Sequence, residues 1–214
     1  MTYDATSAKT RYQAIIDVCR QLQPTAVIEI GVHRGARTRH FLDILAHHPY
    51  TSSTTYEGYD AFDGLEDHDE VYNGKGPASL KAVELVLKSQ PSVYSTLHKG
   101  MTSNTLWNNP NSADFVFIDG DHRTDAIRKD FGSVSHGSKM ICFDDVVENG
   151  PQGAGALPII QELEQDPAWC VERLKTRVSF KPYGECGIAF VWPSAITMPA
   201  AVTNTISVWQ QRLT

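Results

Sequence analysis

Between residues 26 and 165, short apolar runs mostly alternate with stretches of helical spacing, and this alternation constrains the fold more than any other feature of the chain. The runs are Ala26-Val-Ile-Glu-Ile30, Thr55-Tyr-Glu-Gly-Tyr59, residues 93–98, Asp114-Phe-Val-Phe-Ile118 and Lys139-Met-Ile-Cys-Phe143. Helical stretches follow the first, second, fourth and fifth, carrying for example Phe41, Leu42 and Leu45, then Leu80, Val83, Leu85, Val86 and Leu87. Strands separated by helices pair in parallel, because the helix carries the chain back across the sheet. The run 114–118 is almost wholly apolar, as expected of a central strand covered on both faces. Two further strands, near 170–179 and 187–192, are joined by Pro182-Tyr-Gly184 and suit an antiparallel hairpin. The spacing therefore predicts an α/β fold: a Rossmann-like, doubly wound seven-stranded sheet, mostly parallel with an antiparallel C-terminal hairpin, and helices on both faces. Ligands of such sheets lie at the carboxyl ends of the strands.

At each end of this sheet the spacing adds a helix. Over residues 5–22, Tyr12, Ile15, Ile16, Cys19 and Leu22 recur three or four apart, and Pro24 ends the run. At the other end Met198, Val202, Ile206, Trp209 and Leu213 share one face, to pack on the core or to meet another copy in a homo-oligomer. With 214 residues the chain suits one domain, 1–214: an N-terminal helix (1–24), the core (25–193) and a helical tail (194–214). Residues 66–77, acidic and punctuated by Gly74, Gly76 and Pro77, read as a long surface loop inside that domain.

Composition narrows the partners. A net charge of -6 gives no general attraction to a phosphate backbone, so nucleic acid is not expected as substrate and a small molecule is. No stretch approaches the ~20 apolar residues of a membrane span, and nothing at the start reads as a signal peptide. The four cysteines, Cys19, Cys142, Cys170 and Cys186, are scattered without metal-like spacing, as in a reducing cytoplasm.

Chemistry-bearing residues fall at the predicted strand ends. After the first strand comes Glu29-Ile-Gly31-Val-His-Arg-Gly35, where the glycines permit a tight turn and close approach of the backbone to a ligand. It is neither the dinucleotide pattern GxGxxG nor a phosphate-binding P-loop, so it suits a cofactor without a pyrophosphate, or simply a strand–helix turn. Asp60 directly follows the second strand, where an acidic side chain can accept hydrogen bonds from both ribose hydroxyls of a nucleoside. Asp119-Gly-Asp121-His122 and Asp144-Asp145 follow two strands that should be neighbours. Carboxylates so close repel unless protonated or bridged by a cation, and oxygen ligands suit Mg²⁺, Mn²⁺ or Ca²⁺. His122 is placed to act as general base toward a hydroxyl. Alternatively, Asp121 or Asp145 caps a turn and His122 is a loop residue.

In this order, Glu-Ile-Gly-x-x-x-Gly, an acidic second-strand end, Asp60-Ala-Phe-Asp-Gly-Leu65, Phe-Ile-Asp-Gly-Asp-His and Phe-Asp-Asp-Val resemble a class I S-adenosylmethionine-dependent methyltransferase. Nearest in pattern is a bacterial group of macrolide-sugar O-methyltransferases and cephalosporin-hydroxylase-like proteins, over about residues 27–163. The resemblance implies that Glu29, Gly31 and Gly35 line the methionine end of the cofactor, that Asp60 holds the ribose, and that Lys99-Gly100-Met101-Thr102 borders the adenine. It places Asp119 beside the transferable methyl group. In metal-dependent members Asp119, Asp144 and Asp145 match the Mg²⁺ ligands and His122 the base. The sugar enzymes usually have Glu-Asp where this chain has Asp144-Asp145, and the shorter side chain reaches less far. The implied activity is methylation of a small polar acceptor, on the hydroxyl of a sugar or vicinal diol. The alternatives are a metal-dependent hydroxylase-like or hydrolytic enzyme on the same scaffold, and a non-catalytic cofactor-binding protein.

Overall fold

The computed structural model describes residues 5–49, 53–62, 78–147, 155–175, 179–180 and 184–213. Its elements are α1 (Ala5–Leu22), β1 (Ala26–Ile30), α2 (Ala36–Ala46), β2 (Thr55–Asp60), α3 (Leu80–Leu87), β3 (Tyr94–Lys99) and α4 (Thr102–Thr105). There follow β4 (Phe115–Ile118), α5 (Thr124–Val134), β5 (Met140–Val147), α6 (Leu157–Gln165), β6 (Trp169–Leu174), β7 (Ser179–Phe180), β8 (Gly184–Pro193) and α7 (Ala200–Leu213).

Seven strands run in the order β3-β2-β1-β4-β5-β8-β6, and the two-residue β7 pairs with β8 beside them. Pairs among the first five strands are parallel, and those that β8 makes with β5 and β6 are antiparallel. The predicted sheet and its hairpin are thus present, with β8 inserted between β5 and β6. The loop expected over 66–77 lies outside the described residues, as do 181–183 of the hairpin connection.

Period-two alternation sorts the side chains of the central strands between two cores. On β4, Phe115 and Phe117 join Val27, Phe41, Ile15 and Val202, under α1, α2 and α7. Val116 and Ile118 point the other way, with Ile28, Ile30, Ile127 and Ile160, under α5 and α6. The two phenylalanines and two aliphatics of this strand are at most 2 % exposed. Burial of each stabilises the fold by about 1.5–3 kcal/mol. Glu29 falls on the first face and is fully buried there. The tail helix α7 packs Val202, Ile206, Trp209 and Leu213 into the same core. Among the described residues, no helix is long and apolar enough to cross a membrane.

Register places the site. Ile30 pairs with Tyr59 and with Ile118, and Ile118 with Phe143, so β1, β2 and β4 end level with one another and with Phe143 midway along β5. Gly31 closes that row: its N–H donates to the carbonyl of Tyr59 at 2.9 Å, and Asp119 N–H donates to the carbonyl of Ile30 at 2.8 Å. Gly31 has φ +89°, and a Cβ there would stand 1.9 Å from the backbone oxygen of Asp119. Only glycine fits that crossing.

Candidate active site

A single cleft at these strand ends gathers most of the residues singled out in the sequence. Gly31, Asp60, Gly100, Met101, Asp119 and His122 all line it. Glu29, Gly35, Asp144 and Asp145 do not. Glu29 is buried one layer below, where its Oε2 accepts hydrogen bonds from Thr38 Oγ1 at 2.7 Å and from the Tyr56 hydroxyl at 2.6 Å. Gly35, at φ +71°, is the residue from which α2 starts.

The carboxylate of Asp60 is held by backbone on both sides. Oδ2 accepts the His33 N–H at 2.7 Å, and Oδ1 accepts the Phe62 N–H at 2.8 Å. The glycine turn after β1 is thereby tied to the end of β2. Gly100 N–H donates to the carbonyl of Asp60 at 2.9 Å, which adds the end of β3 to the same cradle. Beyond it, Trp107 Nε1 donates at 2.7 Å to the buried Asp130 on α5 and anchors the segment that follows Met101 and Thr102. Neither Trp107 nor Asp130 was singled out from the sequence.

The three aspartates expected to share a cation do cluster, because Asp119 and Asp144 follow the register pair Ile118 and Phe143. Each, however, has its own partner. Arg37 Nη2 lies 2.5 Å from Asp119 Oδ2, and Arg11 Nη2 lies 3.2 Å from Asp144 Oδ2. His122 Nδ1 lies 2.6 Å from Asp145 Oδ2, and Cys186 Sγ donates to Asp145 Oδ1 at 3.3 Å. An irregularity in the pairing with β8 between Phe143 and Val146, together with φ +52° at Asp145, directs the adjacent carboxylates to different partners. Asp121 caps the turn into α5, accepting the Arg123 N–H at 2.9 Å, which is the structural alternative weighed for it.

Burial pushes the Asp119 carboxyl up to about 7, with Arg37 opposing and Asp144 and Asp145 adding to the rise. Burial also raises Asp144, against the pull of Arg11. At Asp145 burial acts upward too, but the His122 hydrogen bond and charge, and Arg11, outweigh it and hold the carboxyl well below its usual range. Burial raises Glu29 to about 7, with Arg37 and the hydrogen bonds from Tyr56 and Thr38 opposing.

Arg11, Tyr12 and Arg37 are the site residues that sequence reasoning missed. Tyr12 and Arg37 line the cleft, while Arg11 is 4 % exposed beneath it. A signal was present: Arg11 sits four residues before Ile15 and seven before Val18, on the apolar face of α1. A buried arginine needs a carboxylate. Arg37 occupies the first turn of the helix that follows the glycine turn, a position that overlooks the strand ends.

Residues 28–145, more than half of the chain, match a protein family described as a methyltransferase domain. No curated protein matches the chain at a significant level. Among solved structures, the chain is similar to an O-methyltransferase from Bacillus cereus in complex with SAH, with 16 % identity and a TM-score of 0.59, covering 91 % of this chain and 84 % of that one. It is also similar to the O-methyltransferase TomG from Streptomyces achromogenes, involved in tomaymycin synthesis and in complex with SAM, with 13 % identity and a TM-score of 0.61, covering 89 % and 82 %. At these identities the likeness is one of fold.

Proposed function

For this chain, which belongs to the methyltransferase domain family, we propose transfer of a methyl group from S-adenosylmethionine to the hydroxyl of a small polar acceptor, of a sugar or vicinal-diol kind. The observation that carries this reading is the His122–Asp145 pair, whose His122 lines the same cleft as Asp60. The likeness to O-methyltransferases, one in complex with SAH and one with SAM, supports it.

The cleft residues fit the cofactor. Asp60 presents a fixed carboxylate to the ribose hydroxyls, and its backbone bonds to His33 and Phe62 stop it from swinging away. Gly31 carries no side chain to block approach to the strand ends, and Gly100 and Met101 border the adenosine side. When bound, S-adenosylmethionine supplies a methyl group on a sulfonium, which is already a good leaving group. The protein's work is then alignment and proton removal. His122 gives its Nδ1 hydrogen to Asp145, which leaves Nε2 as the ring atom that takes the proton from the acceptor hydroxyl. Asp145 orients the ring and stabilises its charged form.

Assistance by a divalent cation was the other use foreseen for the carboxylates. Asp119, His122 and Asp145 each offer a ligand atom within 4.8 Å of the others. Asp119 Oδ2 is engaged by Arg37, and His122 Nδ1 and Asp145 Oδ2 by one another, so the set does not fit an added cation, and no step is routed through one. The reading is tested with methyl-labelled S-adenosylmethionine and a panel of hydroxyl acceptors. The expected product is a methyl ether whose formation falls steeply in His122→Ala while binding of S-adenosylhomocysteine is kept. Unchanged turnover in that variant would remove His122 from the chemistry.

A further inference from the structure

Close aspartates normally repel or recruit a cation. Here each of the three has a partner supplied by the chain. Arg37 stands against Asp119 and Arg11 against Asp144, while Asp145 receives His122 Nδ1 and the Cys186 thiol. Arg11 also reaches toward Asp145, with Nη1 at 3.9 Å, and donates from the same nitrogen to Cys186 Sγ at 2.7 Å. We infer that Arg11 and Arg37 are the resident counter-cations of the Asp119–Asp144–Asp145 cluster and keep divalent ions out of it.

The guanidinium groups cannot easily be displaced. Arg37 lies between two rings, 4.7 Å from the centroid of Tyr12 and 5.2 Å from that of Phe117. Its helix is pinned by the fully buried Phe41, Leu42 and Leu45. Arg11 lies over the other contact of Tyr12, 4.9 Å from the ring centroid, and is carried by a helix whose Ala14, Ile15 and Val18 are fully buried. An arginine does not give up its proton to make room, and although burial works against the charge, the neighbouring aspartates hold both of these more firmly protonated than usual. Mg²⁺ needs its oxygen ligands at about 2.0–2.1 Å in near-octahedral array. Beside Asp119 Oδ2 that space is bounded by Arg37 Nη2 at 2.5 Å. A cation brought there would also have to compete with two guanidinium groups already paired to the same carboxylates.

Each cation comes from a helix start or a helix face outside the strand ends that carry the acids. The sequence motifs of the acids alone therefore suggest a metal centre, whereas the helices α1 and α2 complete it with arginine. That methyl transfer would then proceed without a metal rests on the function proposed above. Exclusion of the ion does not.

Mn²⁺ binding to the full chain, followed by electron paramagnetic resonance and calorimetry, tests the inference. S-adenosylhomocysteine titration and thermal melting of the same samples report the cofactor site and the fold separately. The wild-type protein is expected to show no stoichiometric Mn²⁺ binding up to about 1 mM, the weak end of protein sites for divalent ions. Arg37→Met, which keeps the bulk of the stem and removes the charge, should gain Mn²⁺ affinity by ~10-fold or more, and Arg37→Lys should not. Stoichiometric Mn²⁺ binding by the wild type, lost in Asp119→Asn, would overturn the inference. So would an Arg37→Met protein that melts cooperatively and gains nothing. Should Arg37→Met fail to fold, the wild-type titration decides alone. Folded protein that binds neither Mn²⁺ nor S-adenosylhomocysteine would sink the proposed function and leave the ion exclusion standing.

Discussion

His122 Nδ1 and Asp145 Oδ2 are 2.6 Å apart, and the two side chains are 31 % and 25 % exposed. A carboxylate can only accept, so this contact fixes the histidine tautomer and the plane of its ring. If the pair acts as a unit, His122→Ala lowers kcat by ~10²–10⁴-fold. Asp145→Asn loses ~10-fold or more, because its amide can donate to Nδ1 and favour the other tautomer. Steady-state kinetics beside S-adenosylhomocysteine titration separates this from a binding defect: both variants should keep cofactor affinity. Equal loss of affinity and turnover would show a collapsed site instead.

Gly31→Ala should be severely destabilising. Its Cβ would meet the Asp119 carbonyl, which is backbone and cannot turn aside, at a φ of +89°. The expected cost is about 2 kcal/mol or more, read as a fall in Tm together with weakened cofactor binding. Wild-type stability in this variant would mean that β1 and β4 do not end as closely as described. Gly132, where an added Cβ would meet nothing within 4 Å and φ is not positive, is the control: alanine there should be neutral or stabilising.

Glu29 gives a pH signature. Burial raises its folded-state value to about 7, above the ordinary carboxyl range of the unfolded chain. The folded state therefore holds the proton more tightly. The stability this provides is fully present below the unfolded value and is lost as pH rises through about 7. Glu29→Gln, which keeps an oxygen for Thr38 and Tyr56, should remove that decline. The difference in unfolding free energy between variant and wild type should shift in the variant's favour by on the order of 3 kcal/mol between pH 4 and 8. Denaturant melts across that range check it, and parallel curves would place the ionisation of Glu29 elsewhere.

The sheet was legible because period-two burial and 3.6-residue helices leave direct marks on the chain. The row of strand ends follows from it, and places Gly31, Asp60, Asp119 and Asp144 at one edge of the sheet. The charge balance was not legible. Acidic residues at strand ends are read from local motifs, but their partners Arg11 and Arg37 come from helix faces distant in the chain or turned by a cap. Arg11 donates to Cys186, which is 175 residues away in the chain. The bend that sends Asp144 to Arg11 and Asp145 to His122 depends on how β8 pairs with β5, a relation between strands that no local pattern records. Glu29 and Gly35 illustrate the same limit. Gly35 was legible as part of a strand–helix turn, yet only packing shows that Glu29 lies beneath the cleft and that Gly35 does not line it.

Calorimetric titration of S-adenosylhomocysteine into the full chain, repeated with Asp60→Ala, tests the central claim most directly. Micromolar binding by the wild type, weakened ~10-fold or more in the variant, is the predicted result, since the variant loses the one carboxylate fixed toward the ribose. No binding by wild-type protein that melts cooperatively would contradict the claim that this cleft takes the methyl donor.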